Sequence, residues 1–361
     1  MKNLYFLLCV GVLFLSCKHT NKTQLNFLDE YVLKDSIEFK NTIIGGLSGI
    51  DYANNQYYFV VDDARNPRIL SADIKIESNK ITSIDFNNVI FLKDSTTTFY
   101  NKNALDLESI FIDEKTKEIN LVSEGSVRKG KKPRVFKVNE NGGFIKNIEL
   151  PKSLSNLENI KHNAAFEASS KSVNKNGFWT AFEAPLKLDG EDPTFTKKSS
   201  PIRITYFDND SKKATKQFAY QLEHITKPAK GNINLNGVTA ILEYKENHFF
   251  VIERTYQNGY GAYGNIVRIF EATIEKESTN VIEIDALKKT KFIPLKKRLL
   301  LNFYDIKDKL TEEIVDNIEG ITFGPILPNG NQSLVLVTDD NFQIYGKQLN
   351  QFILLEIQTN K

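Results

Sequence analysis

From about residue 25 onward the chain alternates short apolar runs with polar turns, and the alternation itself repeats. Runs rich in Val, Ile, Phe and Tyr, bounded by clusters such as Asn141-Gly142-Gly143 and Pro328-Asn329-Gly330-Asn331, read as strands and turns. Five segments share one grammar: a strand that opens on a small or acidic residue, a second that ends in a carboxylate, and a third that usually begins near an arginine. The first holds Leu47-Ser48-Gly49-Ile50, Val61-Asp62-Asp63 and Pro67-Arg68; the second holds Leu107-Glu108-Ser109, a strand reaching Glu124, and Pro133-Arg134. The third holds Phe166-Glu167-Ala168, a strand reaching Glu183, and Ile202-Arg203. The fourth holds Val238-Thr239-Ala240, Glu253-Arg254 and Val267-Arg268; the fifth holds Ile318-Glu319-Gly320, Asp339-Asp340 and a strand over 352–355.

Ser48 and Glu108 are 60 positions apart, Glu108 and Glu167 are 59 apart, and the later steps run to about 70 and 80. That is the length of a four-stranded blade with its loops, and a chain of such units closes into a ring. Fourth strands are expected over 81–92, 144–150, 216–222 and 292–303, whereas the fifth unit runs out of chain. Residues 25–33, ahead of the first unit, can supply the missing strand by pairing the two ends of the chain. The expectation is an all-β fold, a β-propeller of five blades by repeat count and closed by an N-terminal strand. A sixth blade within 271–317 stays open, as does one insertion helix over 306–318.

The N-terminus reads differently. Residues 4–15 are apolar, too short to span a bilayer and preceded by Lys2, which marks a signal-peptide core. It ends in Phe14-Leu15-Ser16-Cys17 and turns polar at once, which resembles a bacterial lipobox with Cys17 as the acylated residue. The expected organisation is a lipoprotein signal peptide over 1–16, a tether over 17–24 and one propeller domain over 25–361. Lys18 after Cys17 resembles outer-membrane sorting, so the expected place is the cell envelope, anchored by lipid alone.

Composition narrows the chemistry. The 361 residues carry 47 Lys+Arg against 45 Asp+Glu, so no global field draws the chain to nucleic acid. Its two cysteines are Cys9 and Cys17, which excludes disulfides, thiolate metal sites and cysteine nucleophiles from the body. Gly46-Leu47-Ser48-Gly49-Ile50 lacks the last glycine of a nucleophile elbow, and Gly125 to Lys132 lacks the hydroxyl residue of a P-loop. The four histidines have no metal spacing, and Asp208-Asn209-Asp210 lacks the glycine and distal Glu of a calcium loop.

What remains is the recurring acid. Asp62, Asp63, Glu108, Glu124, Glu167, Glu183, Glu253, Glu319, Asp339 and Asp340 fall at repeated places on first strands or at the ends of second strands. First strands line a propeller's axis, so these groups are expected to converge on one mouth, where like charges must be protonated, paired or bound to cations. A hard cation such as Ca²⁺ suits oxygen donors. Alternatively, each acid pairs with a nearby arginine: Arg68, Arg134, Arg203 and Arg268 recur on third strands, and Arg65, Arg128 and Arg254 follow the second-strand acids.

The phrases GGLSGIDY, YYFVVDDAR, DLESIFID, NAAFEA, NGVTAILEY and NIEGITF, in that order over about 44–357, resemble the phytase-like domain family known as esterase-like activity of phytase. The resemblance implies an extracytoplasmic propeller with acidic sites suited to calcium, by analogy with the propeller phytases, and an activity on phosphoric or other esters. The expectation is a monomeric, metal-dependent ester hydrolase acting on a small phosphorylated or ester substrate. Asp62, Asp63, Glu108, Glu124, Glu167, Glu183, Glu253, Glu319 and Asp339 are its candidate Ca²⁺ ligands, and Arg65 or Arg254 would steady the departing phosphate. The other class of reading is a non-catalytic envelope propeller that binds a ligand or protein at the same mouth.

Overall fold

The computed structural model describes residues 22–93, 97–196 and 198–359; the signal-peptide segment and Cys17 lie outside the described residues. Five four-stranded antiparallel sheets form the fold, with a two-stranded hairpin at Glu38–Phe39 and Thr42–Ile43. Blade 1 is Leu47–Ala53, Gln56–Val61, Arg68–Glu77 and Lys80–Phe91; blade 2 is Leu107–Ile112, Ile119–Ser123, Arg134–Val138 and Phe144–Asn147. Blade 3 is Phe166–Lys171, Gly177–Phe182, Pro201–Asp208 and Lys213–Gln221; blade 4 is Asn234–Lys245, His248–Gln257, Asn265–Thr273 and Lys296–Asn302. Blade 5 takes Ile318–Ile326, Gln332–Thr338 and Asn350–Thr359 from the C-terminal end, and its outer strand, Thr23–Leu33, from the N-terminal end. The chain is therefore a five-bladed β-propeller closed by its own N-terminal strand. Thr23 pairs with Thr359 and Leu33 with Asn350.

The first strands touch in ring order, blade 1 to 2 to 3 to 4 to 5 and back to 1. One hydrophobic cluster fills each space between neighbours. Phe59 and Val61 of blade 1 pack with Val335, Val337 and Phe352 of blade 5, while Val60 and Ile69 pack the other way, with Ile110, Leu121 and Phe136 of blade 2. Phe111 meets Phe178 and Phe207 between blades 2 and 3, Trp179 meets Phe249 between blades 3 and 4, and Phe250 and Ile252 meet Leu334 and Leu336 between blades 4 and 5. Because both faces of an inner strand are covered, second strands such as Phe59-Val60-Val61 are continuously apolar rather than alternating.

The stretch after blade 4's third strand holds no sixth blade: residues 274–295 are loop with one short 3₁₀ turn, Leu287–Lys289, and the run up to blade 5 is the 3₁₀ segments Phe303–Lys309 and Thr311–Glu313. Arginines on third strands hold this scaffold. Arg203, fully buried, donates to both oxygens of Asp189 at 2.6 and 2.8 Å, to Gln217 and to the Ile284 carbonyl, pinning the 274–295 loop. Arg68 pairs with Asp63 at 2.9 Å, and Arg134 lies over the Phe99 ring.

Candidate functional site: an acidic ring at one mouth of the propeller

Every first strand breaks register at its mouth end, at the second residue in blades 1, 2, 3 and 5 and at the sixth in blade 4, whose first strand starts earlier. The pairing skips Ser48, Glu108, Glu167, Thr239 and Glu319 in blades 1 to 5, so each is the extra residue of a β-bulge. A bulge re-aims a side chain that would otherwise face a neighbouring blade. In blades 1 and 4 the re-aimed group is a hydroxyl that donates across to the next blade, Ser48 to the Leu107 carbonyl at 2.6 Å and Thr239 to the Ile318 carbonyl at 2.8 Å. In blades 2, 3 and 5 it is a glutamate.

The residue just past the second strand supplies a further group at each blade. The backbone N–H of Asp62 donates to the Gly46 carbonyl, Glu124 to Asp106, Glu183 to Ala165 and Asp339 to Asn317, four equivalent bonds at one end of the ring. Blade 4 departs from the pattern. Its register pairs Glu253 with Val238 and Arg254 with Gly237, so Arg254 and not Glu253 occupies the equivalent place.

The mouth thus gathers Asp62, Glu108, Glu124, Glu167, Glu183, Glu319 and Asp339, together with Asp106, which the sequence reading passed over because it precedes its strand. Carboxylate oxygens of Asp62, Asp106 and Glu108 all lie within 4.8 Å of one another. Among the described residues the cation paired with this ring is Arg254, 3.5 Å from Glu183 and 3.5 Å from Glu319, and also bonded to the Asn317 side chain.

Three expected acids stand elsewhere. Asp63 is spent on Arg68 and on capping its own turn at the Arg65 and Asn66 N–H groups. Glu253 is fully buried inside blade 4, where it accepts from Tyr220 at 2.7 Å, from Asn236 at 2.8 Å, from the Glu223 N–H and from Lys297. Arg65 is exposed in the turn that follows Asp62. Asp340 turns away to accept from the Gly46 N–H at 2.7 Å and from Asn350.

Eight carboxylates facing one guanidinium cannot all ionise at neutral pH without a counter-charge. Burial, then a hydrogen bond shared with Asp106 and repulsion from Asp339, pushes Asp62 up to about 10. Burial and repulsion from Asp106 and Glu183 push Glu124 up to about 8. Glu108, Glu167 and Asp339 are driven well above the usual carboxylate range by burial, with Glu167, Glu183 and Glu319 respectively the foremost like-charged neighbours. Glu319, which burial raises and Arg254 holds back, sits at about 7.

Three of these carboxylates, those of Asp62, Asp106 and Glu108, present oxygens close enough together to suit a hard divalent cation. Asp62, Asp106 and Glu108 fit such an ion, with Glu124 and Glu167 adjoining. The loops between second and third strands overhang the same mouth; one is the hairpin around Arg128, whose charge, like that of Asp106, is felt by His162. The other end of the axis is closed by Lys171 of blade 3, which reaches past blade 2 to Asp51 of blade 1 at 2.9 Å and to the Tyr52 carbonyl. A cavity of about 940 Å³, lined in part by Lys171, Tyr244 and Phe323, opens on that far side.

Fold and site together define a five-bladed propeller with a carboxylate-ringed mouth. The chain belongs to the phytase-like family, described as esterase-like activity of phytase, whose model matches residues 42–342. No curated protein matches the sequence. Among solved structures, a thermostable family-43 glycoside hydrolase is 11% identical with a TM-score of 0.47, covering 88% of this chain and 90% of its own. An exo-β-1,3-galactanase from Phanerochaete chrysosporium is 10% identical with a TM-score of 0.46, covering 92% and 64%. An endo-1,4-β-xylanase from Bacteroides thetaiotaomicron is 12% identical with a TM-score of 0.40, covering 92% of each chain. Likeness at this level transfers no chemistry.

Proposed function

We propose that the protein is a lipid-anchored, monomeric hydrolase of phosphoric esters in the cell envelope, at the outer membrane, working with Ca²⁺ held at the acidic mouth. The observation that carries this reading is the convergence of Asp62, Asp106 and Glu108 within 4.8 Å, in a ring otherwise neutralised by Arg254 alone among the described residues. When bound there, the cation supplies charge to polarise a phosphoryl oxygen and to lower the pKa of a water. The protein's own contribution is placement. The bulges fix Glu108, Glu167 and Glu319 toward the axis, and Arg254 is held by Glu183, Glu319 and Asn317 where it meets a phosphate oxygen. Ring carboxylates that stay protonated near neutral pH can donate to the leaving oxygen, whereas ionised ones accept a proton from water. Arg65 and Arg128, on loops of the same side, are the cations an incoming phosphate encounters first.

The test is hydrolysis of p-nitrophenyl phosphate, phytate and short acyl esters with Ca²⁺ and then with chelator, alongside calorimetric titration of Ca²⁺. Turnover of a phosphoric ester that chelation abolishes is the expected result. Calcium binding without turnover on any substrate would leave a ligand-binding propeller. No turnover together with a melting temperature indifferent to chelation would remove both the enzyme and the metal.

A further inference from the structure

We infer that the face opposite the acidic mouth is the membrane-facing surface of the protein, so that the mouth opens to the aqueous side and takes solutes rather than headgroups of the bilayer that holds it. The inference rests on the anchor at Cys17 proposed above and adds a direction to it.

The direction comes from the closing strand. First strands begin at the acidic mouth and third strands run parallel to them, so Asn350 lies at the mouth end of its strand and Thr359 at the far end. Thr23 pairs with Thr359 and Leu33 with Asn350, which puts Thr23, the start of the folded body, at the far end. Blade 4 fixes it there. Thr23 Oγ1 lies 3.1 Å from the Tyr244 hydroxyl of blade 4, and Arg298, itself held by Glu271, donates to the Thr23 carbonyl at 2.8 Å. Thr23, at the far end of the outer strand, therefore sets the face on which the folded body begins.

Length decides the rest. Residues 18–22 separate Cys17 from Thr23, and six extended steps reach at most about 20 Å. The closing strand, Thr23–Leu33, spans eleven residues, about 36 Å at the usual rise, and measures the height from exit to mouth. A tether shorter than the body it holds cannot wrap around it to bring the mouth to the bilayer.

The experiment reads anchor and orientation separately. The full chain is labelled with palmitate in a bacterial host, and loss of the label in Cys17→Ser reports acylation. The body after Cys17 contains no cysteine, so Lys175→Cys in a far-face turn and Tyr345→Cys on a mouth-side loop each take one fluorophore. The acylated proteins are placed in phosphatidylglycerol vesicles that carry a nitroxide on the headgroup. Several-fold stronger quenching at position 175 than at 345 is expected, and no turnover of phosphatidic acid presented in the same vesicles. Equal quenching, the reverse order, or turnover of that lipid would overturn the orientation while acylation stood. Absence of palmitate would overturn the anchor and this inference with it.

Discussion

At the scale of single residues, the ring acids and the scaffold acids respond to mutation with opposite signs. Glu108 faces Glu167, Asp62 and Glu124 without a paired cation, so its ionised form is held against repulsion and burial. Glu108→Gln removes that charge and should raise the metal-free melting temperature at pH 8 by roughly a few degrees. The same variant should bind calcium at least about tenfold more weakly, since a carboxylate ligand is lost; thermal melts with and without Ca²⁺ check both. Arg203→Met does the reverse. It strands Asp189 in the interior and should cost about 3–5 kcal/mol in denaturant unfolding, with calcium affinity unaltered in the fraction that folds. Gly46 illustrates a third kind of constraint: its φ is +64°, and a Cβ would stand 2.6 Å from the Phe342 ring. Gly46→Ala should therefore destabilise by more than about 1 kcal/mol, although the change adds one methyl.

At the scale of elements, the closing strand carries two interfaces at once: Leu25 belongs to the cluster between blades 4 and 5, and Leu33 to the cluster between blades 5 and 1. Deleting residues 23–33 should abolish cooperative thermal unfolding and leave soluble aggregates by size exclusion, because the unpaired edge of Asn350–Thr359 becomes a template. This strand was legible in the sequence, as were the five units, because each blade repeats a covalent pattern of apolar runs and turns. The possible sixth blade over 271–317 was an ambiguity of length alone; the excess is a loop pinned by Arg203 and two 3₁₀ segments. What the pattern could not give was register. Glu253 and Arg254 are adjacent in sequence, and a shift of one residue sends the acid into the blade and the arginine to the mouth. Asp106 was missed for a related reason: it precedes its strand, and its place in the ring shows in the bond from the Glu124 N–H to its carbonyl and in its closeness to Asp62 and Glu108.

For the whole molecule, the acidic mouth sets how stability varies with pH. Folding raises the pKa of Glu319 to about 7, of Glu124 to about 8 and of Asp62 to about 10, above unfolded values near 4. The folded state then binds more protons than the unfolded one between these limits. The associated stability is fully present below pH 4 and is lost as pH rises through 7 to 10. In chelator, the melting temperature should fall from pH 5 to pH 9; Ca²⁺ should flatten that fall by taking the protons' place, and equal slopes with and without the ion would contradict a site at this mouth.

The strand that shuts the ring is also the one nearest the proposed anchor, and this has a mechanical side. A pull from the bilayer on Thr23 runs along the strand, against the register that links it to Asn350–Thr359 from Thr23↔Thr359 to Leu33↔Asn350. Loaded in shear, those hydrogen bonds yield together rather than one after another, so a pull through the proposed anchor would meet the protein in its strongest direction.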